Sequence, residues 1–157
     1  MAKKLTKTQK IKQKMFTDGF ALLCVWLDNK GWSVDEDYCV RDEIFFHGKY
    51  ITISKRQSIE KRLYSLLHEC GHLLIHQNSS KYEEKFPAQS KMNEFTSNKR
   101  IERSKDYRVE TLTEEIEAWA RGRKLAERLN LYIDDKNFRK LTNECIYSYI
   151  EWAAKQY

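Results

Sequence analysis

The chain has 157 residues, of which 41% are hydrophobic and 33% charged. That length suits one domain with a single core; the balance excludes a disordered chain, and no apolar run approaches the roughly 18–20 residues of a membrane span. The net charge of +6 is confined to one end: Lys3, Lys4, Lys7, Lys10, Lys12 and Lys14, with no acid among residues 1–17, account for the whole surplus.

We therefore expect a single domain over residues 1–157 with a basic N-terminal arm at about 1–17. That arm is either a solvated helix start or a contact to nucleic acid or an acidic partner. No apolar segment of the secretory kind follows the first lysines. The cysteines, Cys24, Cys39, Cys70 and Cys145, form no CxxC pair, which points to free thiols in a reducing cytoplasm. Residues from about Thr8 to Asn29 have helical spacing, with Ile11, Met15, Leu22 and Val25/Trp26 on one face, and Gly31 supplies a stop. Trp32 to Val34 suits a short strand. Glu43 to Ser54 reads as a β-hairpin turning at His47-Gly48-Lys49, because its flanks are β-branched or aromatic. Ser54 and Gln57 fit a capping box opening a helix from about Lys55 to Gln77.

That helix carries LLHECGHLLIHQ, Leu66 to Gln77. Its core is His68-Glu69-Cys70-Gly71-His72, an HExxH pattern. Residues four apart share a helix face, so two imidazoles converge where a zinc ion can bind both. Glu69 beside them is placed to take a proton from a water that such an ion would acidify to a pKa of about 7. The alternative is a helix whose histidines cap or pack. Leu63, Leu67, Cys70 and Leu74 recur at core spacing on another face, so Cys70 reads as a small hydrophobe. Gly71 costs about 1 kcal/mol of helix propensity against alanine, which implies close approach by another element. His76 lies about 12 Å along the helix from His68, too far for the same ion, and takes a structural or supporting role.

From Asn78 to Glu110 the pattern dissolves into a long, charged loop that has room for a short helix near Lys91 to Phe95. Thr111 and Glu114 fit a second capping box, opening a helix to about Asn130. A third zinc ligand is expected there. Leu112, Glu115, Trp119, Gly122, Ala126 and Leu129 form one stripe, and Glu115 is its only charge. A carboxylate on a buried stripe is costly unless paired or metal-bound. Glu115 is therefore the favoured ligand. Glu114 is second; Glu110 precedes the helix and Glu117 lies off the stripe. Pairing of Glu115 with an arginine is the structural alternative. A last helix, about Asp135 to Gln156, carries a stripe of Phe138, Leu141, Cys145, Tyr149 and Trp152. The fold class is α+β: mainly helical, with a small antiparallel sheet packed on the HExxH helix.

A strand followed by YSLLHECGHLLIHQ and a later EEIEAWARGRKLAERL resembles the ImmA/IrrE-like zinc metallopeptidases, minimal gluzincin-type domains, over roughly Tyr50 to Leu129. Compact members near this length are similar to proteins of tailed phages. Glu115-Ile116-Glu117-Ala118 is similar to the family's E-x-E-A segment. The resemblance implies a zincin-like fold, zinc on His68, His72 and Glu115, and Glu69 as general base. It also implies that Tyr50 to Ile53 is an edge strand that pairs with a peptide substrate, and, for a phage protein, action in the host cytoplasm. Many larger members carry a DNA-binding domain, for which this chain has no room.

The leading expectation is thus a cytoplasmic zinc metalloendopeptidase acting on a protein or peptide, without a membrane partner. Tyr82 and Tyr107, in the long loop, are candidate oxyanion donors. A second expectation is a nucleic-acid-associated, SprT-like protease using the basic arm and Lys99, Arg100, Arg103, Lys105 and Arg108. A third is a non-catalytic, zinc-stabilised protein that binds a host factor.

Overall fold

The structure, a computed structural model, describes residues 5–92 and 95–155. It is α+β and mainly helical. The helices are α1 (Lys7–Asp28), α2 (Ile59–His76), α3 (Ser79–Lys85), α4 (Lys99–Glu102), α5 (Lys105–Arg128) and α6 (Asp135–Ala154). The strands are β1 (Ser33–Asp37), β2 (Glu43–Phe45) and β3 (Tyr50–Ser54). Lys3, Lys4, Asn93, Glu94 and Gln156, to which the sequence reading extended, lie outside the described residues.

The hairpin forms as its alternation implies, but the sheet is mixed rather than purely antiparallel. Its order is β1-β3-β2: β2 pairs antiparallel to β3, and β1 joins β3 in parallel on the other side. Residues 50–53 therefore lie in the central strand and not at an edge. The reason was hidden in β1, whose sequence SVDED has no run of apolar residues; it is held by backbone pairing from Ser33–Tyr50 to Asp37–Ser54.

α1 also buries a different face from the one its first apolar spacing suggests. Ile11, Met15, Leu22 and Val25 are 53%, 40%, 45% and 59% exposed, while Phe16, Phe20, Leu23 and Leu27 enter the core. Two apolar stripes interleave along this helix, and the one with two phenylalanines offers more apolar area to remove from water. Phe16 packs edge-on against Tyr64 of α2 at 6.1 Å. Of the basic segment, residues 7–17 form the first half of α1; Lys12 pairs with Asp134 and Lys14 with Asp18.

α2 starts later than the Ser54 signal implies. Ser58 is its N-cap, accepting from the Lys61 N–H. Gln57 is instead held by Asp42, which also accepts the Ser54 N–H at 2.8 Å. The long loop is more ordered than expected: it contains α3, a 3-10 turn at Gln89–Lys91 and α4. α5 opens at Ser104, so Thr111 lies inside it, where its hydroxyl donates to the Tyr107 carbonyl at 2.8 Å. The second capping box does not exist.

The core is the pairing of α2 with α5, with α1 on one side and α6 against α5. Two glycines set its closeness. A Cβ on Gly71 would collide with the Ala118 backbone, and one on Gly122 would collide with the Leu67 carbonyl. Backbone meets backbone at both points, so neither clash is relieved by rotating a side chain. We predict that Gly71→Ala lowers unfolding stability by about 3 kcal/mol, the upper part of the range for overpacked cores. A denaturant midpoint equal to that of the natural protein would show that the two helices can part at no cost.

Candidate metal centre

α2 presents His68, Glu69, His72 and His76, and α5 presents Glu114 and Glu115 across the glycine contact. His68 Nε2 and His72 Nε2 lie 3.2 Å apart. Glu115 closes the triangle: Oε2 is 3.1 Å from His68 Nε2, and Oε1 is 3.4 Å from His72 Nε2. The three side chains each offer a ligand atom, all within 4.8 Å of one another. Ligands at about 2.0–2.1 Å from a tetrahedral ion stand about 3.3 Å apart. The three side chains form a group that could hold a metal ion.

One unsatisfied atom supports this fit: among the described residues, Glu115 Oε2 is buried without a hydrogen-bond partner. The 3.1 Å approach of His68 to Glu115 is an ion-pair distance without hydrogen-bond alignment. A buried carboxylate oxygen left in this state is costly, and a cation removes the cost. Glu115 meets histidines rather than an arginine.

The other carboxylates sort by partner. Glu110 accepts the backbone N–H groups of Ala88 and Gln89, both at 2.8 Å. Glu117 pairs with Lys85 and Arg121. Glu114 does not cap a helix. Its Oε1 takes His72 Nδ1 at 3.0 Å and His76 Nε2 at 2.7 Å, and its Oε2 accepts the Tyr82 hydroxyl at 3.0 Å. A carboxylate on one ring nitrogen fixes the tautomer and leaves the other nitrogen a lone pair for an ion. Glu114 is thus the orienting partner of His72, and His76 is a second donor to it, matching its supporting role. On His68 the orienting contact is apolar: the Trp119 ring stacks on the imidazole at 4.5 Å.

Glu69 is 6% exposed, and burial pushes its carboxyl above the usual range. Burial opposes ionisation of Glu114 and Glu115 too, but the histidines facing them outweigh it and hold both well below 4.5. Burial likewise disfavours the His72 cation, yet Glu114 and Glu115 outweigh it and raise His72 above 6.5. Without an ion, a proton on His72 balances the flanking carboxylates.

Sequence reasoning named Glu114 only as the second candidate ligand, its bond to His72 masked by the apparent capping box, and missed Tyr149. Tyr149, read as part of the α6 core stripe, interacts with both Glu115 and Glu69, and burial raises its hydroxyl pKa. A tyrosine at core spacing gives no sign of a site on another helix. Of the two loop tyrosines, Tyr82 is engaged by Glu114, and Tyr107 packs edge-on to Trp152 at 6.4 Å. Arg108, one of the loop cations, donates to the Ala153 carbonyl at 3.3 Å.

Comparison with known protein families, with curated proteins and with solved structures found no match for this chain.

The electrostatics set a pH profile for the metal-free protein. His72, raised in the folded state, contributes stability that is full below about 6.5 and is lost as pH rises through its elevated value. Glu114 and Glu115, lowered, contribute stability present above about 4.5 and lost as pH falls through their depressed values. Urea midpoints in chelator are expected to be highest between these limits, and Glu114→Gln is expected to flatten the alkaline limb. A pH-independent difference between the two proteins would contradict the assigned His72–Glu114 coupling.

Proposed function

We propose that this chain is a zinc-dependent metallopeptidase of the minimal gluzincin, ImmA/IrrE-like type, acting on a protein or peptide in the cytoplasm. The observation that carries the reading is the convergence of His68 Nε2, His72 Nε2 and Glu115 at ligand spacing, with Glu69 buried beside them. His68, His72 and Glu115 would hold the ion. Three protein ligands leave a fourth position open, as a catalytic rather than a structural site requires. A bound zinc ion would supply Lewis acidity, polarising the scissile carbonyl and acidifying the attacking water.

The chain's own residues do the rest. Glu69 accepts the proton of the attacking water and delivers it to the leaving amine nitrogen. It is buried next to both histidines, where a general base is needed. Glu114 keeps His72 in one tautomer while Trp119 holds the plane of His68. Tyr149, which interacts with Glu115, joins Tyr82 and Tyr107 as a candidate donor to the substrate oxygen. Strand addition of a peptide cannot use β3, which is flanked on both sides. We assign it to β2, the sheet-edge strand whose next residue, Phe46, packs on His76 at 4.2 Å. Among the described residues no helix is long and apolar enough to cross a membrane.

The test is elemental analysis together with cleavage of a fluorogenic peptide library. One zinc per chain is expected in the natural protein, and much less in Glu115→Ala. Glu69→Gln should keep its zinc and lose about 10²–10⁴-fold in cleavage rate, the usual contribution of a general base. Zinc-free natural protein, or undiminished cleavage by Glu69→Gln, would refute the assignment.

A further inference from the structure

α1 carries an apolar face that neither the core nor the metal centre uses. Phe16, Phe20, Leu23 and Leu27 enter the core, while Ile11, Met15, Leu22 and Val25 lie exposed in a second stripe. Intervals of four, seven and three residues put these four on one side of the helix. Trp26, half-buried, borders the stripe, and the Lys30 ammonium sits over its ring at 4.8 Å. Single exposed apolar side chains are ordinary on a protein surface, but a row of them along one helix marks a contact surface.

The order of residues along the stripe says what fits it. Asp18 stands at its middle, paired with Lys14. Ile11 and Met15 lie seven and three residues before Asp18; Leu22 and Val25 lie four and seven residues after it. The stripe is therefore nearly the same from either end. Two such helices laid antiparallel, with a two-fold axis at Asp18, set Ile11 of one against Val25 of the other and Met15 against Leu22. Each contact occurs twice, because a two-fold interface uses one patch on both copies.

The charges agree with that arrangement. Lys7, Lys10, Lys14 and Asp28 share one flank of the stripe, and all are exposed. Lys7, Lys10 and Asp28 enter no ion pair among the described residues. An antiparallel two-fold pairing sets equal flanks side by side. Asp28, ten residues after Asp18, then falls opposite Thr8 of the second copy, between Lys7 and Lys10. A parallel pairing would instead set lysine against lysine. A membrane surface fits less well, because Asp18 would be carried into the apolar layer. A nucleic acid would use the lysines and leave the stripe in water.

We propose that the outer face of α1 is the interface of an antiparallel homodimer, its occupant a second copy of this chain. α1 has 22 residues and is roughly 33 Å long. A contact along it covers on the order of 1,000 Å², the low end for specific interfaces, which suits a dimer that dissociates on dilution. α1 supplies none of the candidate metal ligands, so the pairing stands apart from the metallopeptidase reading.

The experiment is sedimentation equilibrium of the whole chain from micromolar to near-millimolar concentration. The mass should rise to twice that of one chain. Ile11→Lys and Val25→Glu, both at exposed positions, should each weaken the dimer at least about tenfold, since each sets a charge against an apolar side chain of the second copy. An equal mixture of the two variants should regain the dimer. The new ammonium of one chain then meets the new carboxylate of the other, and the remaining Val25 keeps an Ile11. Recovery on mixing also shows that both variants are folded. A chain that stays monomeric, a dimer untouched by either substitution, or a mixture no tighter than its parts would overturn the proposal. Monomeric protein that binds phosphatidylglycerol vesicles or duplex DNA, and loses that binding with Val25→Glu, would assign the face to that partner instead.

Discussion

Everything at the candidate centre depends on how closely α2 and α5 approach. At Gly71 and Gly122 the two backbones touch, and no residue with a Cβ fits at either point. The closeness lets a glutamate on α5 reach two imidazoles on α2 without a loop between them. Ligands carried on packed helices keep their positions better than ligands on mobile segments. The helix-propensity cost of a glycine inside α2 is offset by the geometry it permits.

The second layer of the site follows from the same contact. Glu114 and Glu115 are neighbours on α5, yet their carboxylates divide the work. Glu115 faces the Nε2 atoms of His68 and His72, and Glu114 faces His72 Nδ1, His76 and Tyr82. One imidazole is thereby gripped through both nitrogens. Buried carboxylates this close to one another repel. They are tolerated because positive charge stands between them, on a proton or on an ion. Burial dominates the protonation of Glu69 and raises its pKa, although His68 and His72 oppose it.

The parts that were legible in the sequence share one property: they depend on neighbours within a turn or two of chain. HExxH placed His68 and His72 on one face, and of the expected core stripe of α2, Leu63, Leu67 and Cys70 are buried while Leu74 is half-buried. Gly71 signalled a close approach, and Glu115 stood out as a charge on an apolar stripe; both readings hold. The errors arose where two local patterns competed. Ser54 and Ser58 both precede α2, and the decision fell to Asp42, fifteen residues before Gln57, which it holds through a side-chain hydrogen bond. Thr111 and Glu114 spell a capping box, but Ser104 begins the helix one full turn and more earlier. α1 carries two apolar stripes, and periodicity alone cannot choose between them.

By itself, then, the sequence determined the existence of the four long helices and the hairpin, the α+β class, the placing of His68 and His72 on one face, and the candidacy of Glu69 and Glu115. These rest on helix and strand periods and on the cost of burying an isolated charge. Only the tertiary structure decided that β1 joins in parallel and leaves β3 central, that Glu114 is the partner of His72, that Tyr149 comes from the last helix to Glu115, and that the stripe of Ile11, Met15, Leu22 and Val25 stays outside the core. Each of these depends on segments far apart in the chain. Their meeting is decided by which apolar faces bury together, and no local spacing records that choice.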